Sequence, residues 1–243
     1  MWLYGLHSVA AALANPDRSC LKLLATKQGA AALQDLSAPA DGSRAAPTPQ
    51  IVGREDIERA LPPGAVHQGA ALLVEPLPTA DLDSVIPEDG PSVVVALDQV
   101  TDPQNLGAIL RSAAGFGATA VITQERHAPG VTPVLAKAAS GALEAVPLIQ
   151  VNNLVRSLQT LKDRGFWVVG LAAEADQTLA ALDAGARVVL FLGAEGPGLR
   201  RLSRETCDFL ASIPLSGPIA SLNVATAAAI GLYELLGRGS SES

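Results

Sequence analysis

The chain has 243 residues, of which 49% are hydrophobic and 3% aromatic, so its core must be built from Ala, Val, Leu and Ile. Such a hydrophobic content excludes a globally disordered protein. The formal net charge of −7 argues against a strongly basic nucleic-acid-binding protein. A local basic patch can nevertheless act on an acidic protein, and Arg200, Arg201 and Arg204 are the candidate patch.

The cysteines and histidines lack the spacing of a metal site or a redox motif. Cys20 and Cys207 are far apart, and the three histidines share no ligand spacing. We therefore predict no metal, and two free thiols in a reducing cytosol. The amino terminus does not have the pattern of a signal peptide, and the apolar segment 224–236 is interrupted by Glu234 and too short to span a bilayer. The sequence thus predicts a cytoplasmic protein without a membrane partner.

The first part of the chain, residues 1–75, is predicted to be a small α/β domain. Its apolar spacing predicts helices at 5–13, 28–36 and 56–61 and strands at 21–25, 51–52 and 70–74. Residues 37–50 are rich in Pro, Ala, Ser and Gly and are predicted to be a loop. Residues 76–91 contain several prolines and acidic residues, which predicts an exposed linker.

Residues 92–243 alternate apolar strands with helices, which predicts an α/β fold with a parallel sheet covered on both faces. The predicted strands are 92–97, 120–123, 148–151, 166–171, 188–192 and 209–214, and the predicted helices are 105–116, 133–145, 154–164 and 222–236. In such a sheet, ligands bind beyond the carboxyl ends of the strands. Three polar segments follow predicted strands and form the candidate site.

The first polar segment contains Asn105 and, nearly two helical turns later, Arg111. Gly107 between them permits the close approach of a backbone or a ligand. An ordinary structural explanation is also open, because Asn is favoured at helix starts and Arg111 could be a solvated surface residue.

The second polar segment is the glycine-rich loop 193–198, which follows a strongly apolar strand. Its spacing differs from the dinucleotide-binding fingerprint, and the sequence contains no GxxxxGK[ST] phosphate loop. A glycine-rich turn would explain the glycines alone. Glu195 favours a functional loop, since a carboxylate at a strand end is a natural partner for Arg111.

The third polar segment contains Ser221 and Asn223, which follow a Gly-Pro turn and precede a helix of small residues. Either side chain could cap that helix. Capping explains one of these polar residues but not both.

In this order, the three segments resemble the motifs of the SpoU (TrmH-type) RNA ribose 2′-O-methyltransferases. Segments 137–147 and 165–170 are also similar to that family. Segments 4–9 and 67–69 resemble the small ribosomal-protein-like RNA-binding domain that one branch of the family carries. The resemblance implies an RNA-binding domain at 1–75, a linker at 76–91 and a methyltransferase domain at 92–243 with a deep trefoil (SPOUT-type) knot. Ala225 and Thr226 depart from the family, which often has Ser-Val there.

The resemblance also implies a cofactor and a set of site residues. The cofactor is S-adenosylmethionine, and the family forms homodimers. The implied catalytic residues are Asn105, Arg111, Glu195, Ser221 and Asn223. The implied cofactor-binding residues are Leu192, Gly193, Ala194, Glu195, Gly196, Gly198, Ile213, Leu215, Ser221, Leu222 and Asn223.

By resemblance, Arg111 is the candidate base, a difficult role because arginine keeps its proton in proteins. The alternative is that Arg111 holds a phosphate and stabilises the developing alkoxide. The implied substrate is RNA, with a guanosine of large-subunit (23S) rRNA favoured. The same chemistry on tRNA, and a non-catalytic RNA-binding or ribosome-assembly factor, remain alternatives.

Overall fold

The computed structural model describes residues 1–36 and 47–237, so most of the predicted loop 37–50 lies outside the described residues. The strands are β1 (Trp2–Tyr4), β2 (Cys20–Ala25), β3 (Gln50–Ile51), β4 (Ala70–Val74), β5 (Ser92–Asp98), β6 (Ala120–Gln124), β7 (Leu148–Val151), β8 (Trp167–Leu171), β9 (Arg187–Gly193) and β10 (Phe209–Ala211). The α-helices are α1 (Leu6–Ala14), α2 (Lys27–Leu36), α3 (Arg54–Ala60), α4 (Leu82–Val85), α5 (Pro103–Phe116), α6 (Pro133–Ala139), α7 (Leu154–Asp163), α8 (Arg201–Thr206) and α9 (Val224–Leu232).

The contacts divide the chain into two compact units. The first unit contains Met1–Thr79 together with Gly130–Ala145, and the second contains Ala80–Pro129 together with Val146–Ser243. The sequence did not predict that residues 130–145 would group with the beginning of the chain. The domain boundaries at residues 75 and 92 stay a prediction.

The first unit has a four-stranded sheet in the order β1-β4-β2-β3. Strand β4 runs antiparallel to β1 and β2, whereas β3 is parallel to β2. Buried side chains of β1, β2, α3 and β4 form a core cluster that includes Tyr4, Leu24, Ile57 and Ala71. Strand β1 was not predicted from the sequence, because its three residues are too few to display an alternating pattern.

The segment Gly130–Ala145 is fixed within the first unit by polar contacts. Arg18 and Glu144 form an ion pair of 2.7 Å whose side chains are 1% and 6% exposed. The Ser8 hydroxyl donates to the Ala136 carbonyl. The prediction of one helix over 133–145 is wrong: α6 ends at Ala139 because Ser140 has a left-handed φ of 52°, and a short 3₁₀ turn follows.

The second unit has a six-stranded sheet in the order β10-β8-β9-β5-β6-β7, and all its paired strands are parallel. The apolar residues of β5, β6 and β9 are buried, which matches the near-continuous hydrophobic runs expected of a parallel sheet. Helix α4 and the buried Ile86 lie in the segment predicted as a linker, and Ile86 joins the core of this unit. The prediction that all of 76–91 is exposed is therefore wrong at this point.

Among residues 1–36 and 47–237, no helix is long and apolar enough to cross a membrane. Within the same residues, no group of His, Cys, Asp and Glu could hold a metal ion. Within the part of the chain that the structure describes, neither Cys20 nor Cys207 forms a disulfide bond.

Candidate functional site

The candidate site lies in the second unit, beyond the carboxyl ends of its parallel strands. Side chains from all three predicted segments meet there. Asn105 Nδ2 donates to Glu195 Oε1 at 3.2 Å, and Asn223 Nδ2 donates to Asn105 Oδ1 at 3.0 Å. Asn223 Nδ2 also donates to Glu195 Oε1. Two amides and one carboxylate, distant in sequence, thus form one closed hydrogen-bonded cluster.

Local sequence positions the two asparagines. Asp102 caps α5 by accepting from the backbone N–H of Gln104, and Pro103 begins the helix, so Asn105 lies in the first turn. Asn223 caps α9, because its Oδ1 accepts from the backbone N–H groups of Ala225 and Thr226 at 2.9 and 3.3 Å. Asn223 therefore caps with its oxygen and contacts the cluster with its nitrogen.

The structure does not bring Arg111 to Glu195. Arg111 is exposed, and it has no hydrogen bond or ion pair with any residue that the structure describes. Glu195 instead accepts from the two asparagines and from the backbone N–H of Val224. The prediction that Glu195 pairs with Arg111 is therefore wrong. Helix geometry gives the reason: a spacing of six residues rotates Arg111 roughly 120° around α5 from Asn105.

The loop after β9 needs its glycines. A Cβ on Gly193 would lie 2.0 Å from the carbonyl carbon of Gly198, so only glycine fits where the loop returns on itself. The backbone N–H of Gly198 donates to the Ala194 carbonyl at 3.0 Å, and Gly196 and Gly198 have φ values of 84° and 65°. The glycines of this loop are therefore explained by close backbone approach and by left-handed conformations rather than by a simple turn.

A pocket of about 200 Å³ opens beside the cluster. Apart from Asn223, every residue predicted to bind the cofactor lines this pocket, and Ser221 is among them. The other lining residues were not predicted as cofactor-binding from the sequence; they are Leu171, Ala172, Ala173, Glu174, Pro197, Leu199, Arg204, Val224 and Ala227. The segment after β8 could have been found, because β8 is parallel to β9 and its carboxyl end lies at the same edge of the sheet.

The predicted basic patch is neutralised by carboxylates. Arg200 pairs with Asp98 at 2.6 Å, and Arg201 pairs with Glu205 at 2.7 Å. Arg204 pairs with Glu174 at the pocket. Each of these three arginines is thus paired with a carboxylate, and their role as a basic patch stays a prediction.

The Glu174 carboxyl is held in its ionised form. A hydrogen bond from its own backbone and a second one from Arg204 lower its pKa below the ordinary value. Glu174 and Arg204 therefore remain a charged pair at the edge of the pocket at neutral pH.

Comparison with known families agrees with this arrangement. The model of the SpoU rRNA Methylase family matches residues 92–233, and the model described as RNA 2′-O ribose methyltransferase substrate binding matches residues 2–80. The chain belongs to the SpoU rRNA methylase family.

Curated relatives match along nearly the whole chain. The chain is 42% identical over 239 residues to the 23S rRNA (guanosine-2′-O-)-methyltransferase RlmB of Pseudomonas aeruginosa, covering 96% of this chain and 95% of that protein. It is 40% identical over 239 residues to RlmB of Pasteurella multocida, covering 96% of each chain.

Solved structures extend the comparison to the fold. The SpoU methyltransferase AviRb from Streptomyces viridochromogenes, in complex with the cofactor AdoMet, has a TM-score of 0.80 and 25% identity, covering 100% of this chain and 91% of that chain. The A. aeolicus TrmH/SpoU tRNA modifying enzyme has a TM-score of 0.56 and 25% identity, covering 65% of this chain and 80% of that chain.

Proposed function

We propose that this protein transfers a methyl group from S-adenosylmethionine to the ribose 2′-hydroxyl of a guanosine in 23S rRNA. The observation that carries the proposal is the cluster of Asn105, Glu195 and Asn223 beside the strand-end pocket. The likeness to RlmB proteins over 96% of this chain supports the guanosine of 23S rRNA as the substrate.

The residues around the pocket fit S-adenosylmethionine. The pocket is lined by apolar residues such as Leu192, Ile213 and Leu215 and by the glycine loop, a combination that suits a nucleoside. Leu192, Gly193, Ala194, Glu195, Gly196, Gly198, Ile213, Leu215, Ser221, Leu222 and Asn223 would hold the cofactor. When bound, the cofactor supplies an electrophilic methyl group on its sulfonium.

The protein side chains would align and polarise the attacking hydroxyl. Methyl transfer is an in-line displacement, so alignment is a large part of the catalysis. Asn105 would orient the ribose hydroxyl, and Glu195 fixes the amide of Asn105 by accepting its hydrogen bond. Ser221 and Asn223 would hold the third segment against the reacting groups. Arg111 would bind the RNA phosphate and stabilise the developing alkoxide, which needs no loss of its proton.

The same chemistry on tRNA is the second candidate. The A. aeolicus tRNA modifying enzyme and a structure described by 2′-OH methylation of C/U34 on tRNA both resemble this chain, but they cover 65% and 63% of it. RlmB proteins cover 96% of the chain, including the part matched by the substrate-binding family model. This difference in coverage favours rRNA.

The proposal extends to the organisation of the protein. Residues 1–75 would bind RNA, 76–91 would connect, and 92–243 would form the knotted catalytic domain of a cytoplasmic homodimer. Support for the knotted fold comes from the likeness to the SpoU methyltransferase AviRb over 100% of this chain, with a TM-score of 0.80. Light scattering after size-exclusion chromatography tests the dimer, and a monomeric mass at micromolar concentration would contradict it.

The decisive experiment is methyl transfer from labelled S-adenosylmethionine to total RNA of a strain that lacks this protein, followed by mapping of the label. We expect label on one ribose of 23S rRNA and none with Arg111→Ala, although that variant should still bind the cofactor. Label in tRNA would overturn the substrate. Absence of label together with absence of cofactor binding would support a non-catalytic RNA-binding protein.

A further inference from the structure

A buried carboxylate outside the predicted site connects the two ends of the pocket loop. Asp98 is the last residue of β5, and its side chain is 0% exposed. Its backbone lies opposite Gly193 in the ladder between β5 and β9, at the entry of the loop. Its carboxylate accepts from Arg200 Nε at 2.9 Å and pairs with Arg200 Nη2 at 2.6 Å, at the exit of the loop.

A third contact extends this connection into α8. The Ser203 hydroxyl donates to Asp98 Oδ2 at 2.5 Å, and Ser203 is itself buried. One residue thereby fixes where the loop 194–199 leaves the sheet and where it re-enters regular structure. Every residue of that loop lines the pocket. We name Asp98, Arg200 and Ser203 the loop clamp.

The loop requires such a clamp because its glycines make it intrinsically variable. Gly196 and Gly198 adopt left-handed conformations, and glycine loses more conformational freedom on ordering than any other residue. A loop that is free to move would present its backbone groups to a ligand in many arrangements. Part of the binding free energy would then be lost to the entropy cost of ordering the loop. Holding both ends lowers that cost before the ligand arrives.

We infer that Asp98 is a positioning residue for the cofactor, acting through Arg200 and Ser203 on the loop 194–199. This inference rests on the proposed function, since it assigns the pocket to S-adenosylmethionine. Stability alone explains the arrangement poorly, because the Arg200 side chain is 46% exposed and an ion pair that is open to water contributes little to stability. The loop clamp differs from apolar packing because its hydrogen bonds are directional. Charge-assisted hydrogen bonds from Arg200 and Ser203 to Asp98 fix the geometry of one loop.

The test is the binding of S-adenosylmethionine without RNA, measured by isothermal titration calorimetry on the full chain. Asp98→Asn keeps the size of the side chain but removes its charge and one acceptor, and we expect the Kd to rise by about tenfold or more. Arg200→Lys keeps the charge but loses the second hydrogen-bond donor to the carboxylate, so it should raise the Kd less than Arg200→Ala does. Glu144→Gln is the control for the loss of a buried carboxylate charge, since Glu144 pairs with Arg18 in the first unit, where the two side chains are 6% and 1% exposed; the folded protein of this variant should bind with the Kd of the unaltered protein.

Two further measurements separate positioning from mere stability. Asp98→Asn should raise the KM for S-adenosylmethionine while leaving the KM for RNA unchanged, and the Asp98→Asn/Ser203→Ala double variant should bind little worse than Asp98→Asn alone. A Kd for Asp98→Asn equal to that of the unaltered protein would overturn the inference. If Asp98→Asn does not fold, the Kd values of Ser203→Ala and Arg200→Lys for S-adenosylmethionine test the inference instead, and values equal to that of the unaltered protein would overturn it. Failure of the unaltered protein to bind the cofactor would instead contradict the proposed function.

Discussion

At the scale of single residues, Asn223 combines two roles that can be separated. Its oxygen caps α9, and its nitrogen donates to Asn105 and Glu195. Serine at this position keeps a capping oxygen but cannot donate two hydrogen bonds into the cluster. We expect Asn223→Ser to keep the thermal midpoint of the protein and to lose at least about tenfold in kcat.

Asn223→Ala is the matched variant. It removes both the cap and the donor, so it should lose the same activity and also about 1 kcal/mol of stability. Thermal unfolding and methyl transfer to RNA measure the two effects side by side. Full activity of Asn223→Ser would show that the nitrogen of Asn223 has no part in the reaction.

The thiol of Cys207 is expected to react slowly with alkylating reagents. Burial and the neighbouring Asp208 raise its pKa from 9.0 to about 11. Because the pKa is raised, the thiol stays protonated at pH 8, and its thiolate fraction is about a hundredfold below that of a thiol with a pKa of 9.0. In a Cys20→Ser variant, the rate of alkylation by iodoacetamide should stay low at pH 8 and rise as the pH approaches 11. Rapid alkylation at pH 8 would contradict the raised pKa.

At the scale of secondary-structure elements, the strands and helices with a strong local hydrophobic pattern are the ones that the sequence predicts. The buried strands β5, β6 and β9 were predicted because each is a continuous apolar run. Short elements such as β1 and α8 were missed, since their few residues do not establish a period. The end of α6 was missed because Ser140 adopts a left-handed conformation without being glycine.

The candidate site was predictable in part for the same reason. Asn105, Glu195 and Asn223 were found from polar residues at the ends of apolar strands. The predicted pairing of Glu195 with Arg111 was wrong, because side-chain pairing depends on where each residue lies around α5. The sequence pattern alone does not state that position. Asp98 was missed, since the last residue of an apolar strand carries no local mark that separates a buried carboxylate from a solvated one.

The segment formed by α6 and the following turn depends on one buried ion pair. Glu144 and Arg18 are almost fully buried, and Glu144 also accepts from Asn15 at 2.7 Å. Glu144→Gln leaves the guanidinium buried without a counter-charge, which should cost about 3 to 5 kcal/mol. Urea unfolding measures this cost.

Glu205→Ala is the control for that measurement. Glu205 pairs with Arg201 on the surface, where the two side chains are 55% and 80% exposed. Losing an exposed pair one helical turn apart should change the stability by only about 0.5 kcal/mol. Equal costs for the two variants would show that the Arg18 site is open to water.

At the scale of the whole molecule, the order of the chain and its compact units do not coincide. The SpoU methylase model matches 92–233 without a break, whereas Gly130–Ala145 belongs by its contacts to the unit that contains the first 79 residues. The chain therefore passes between the units three times. Local periodicity could not predict this grouping of Gly130–Ala145, because the pattern shows which residues are buried but not which elements they pack against.

The charge distribution of the whole molecule leads to the last prediction. The protein carries a net charge of −7, and the arginines at 200, 201 and 204 are each paired with a carboxylate. Cations without a carboxylate partner are therefore stronger candidates for contacts with RNA than these three arginines are. Arg111 is exposed and without a partner among the described residues, which makes it one such cation.

If Arg111 contacts a phosphate, its removal changes the salt dependence of RNA binding. A single-stranded phosphate contact contributes about 0.7, and a duplex contact about 0.9, to the slope of log K against log salt. We expect Arg111→Ala to reduce that slope by about this amount, whereas Arg201→Ala should leave it unchanged because Glu205 already neutralises Arg201. Titration of an rRNA fragment between low and moderate salt gives both slopes. An unchanged slope for Arg111→Ala together with lost methyl transfer would mean that Arg111 acts on the ribose hydroxyl rather than on a phosphate.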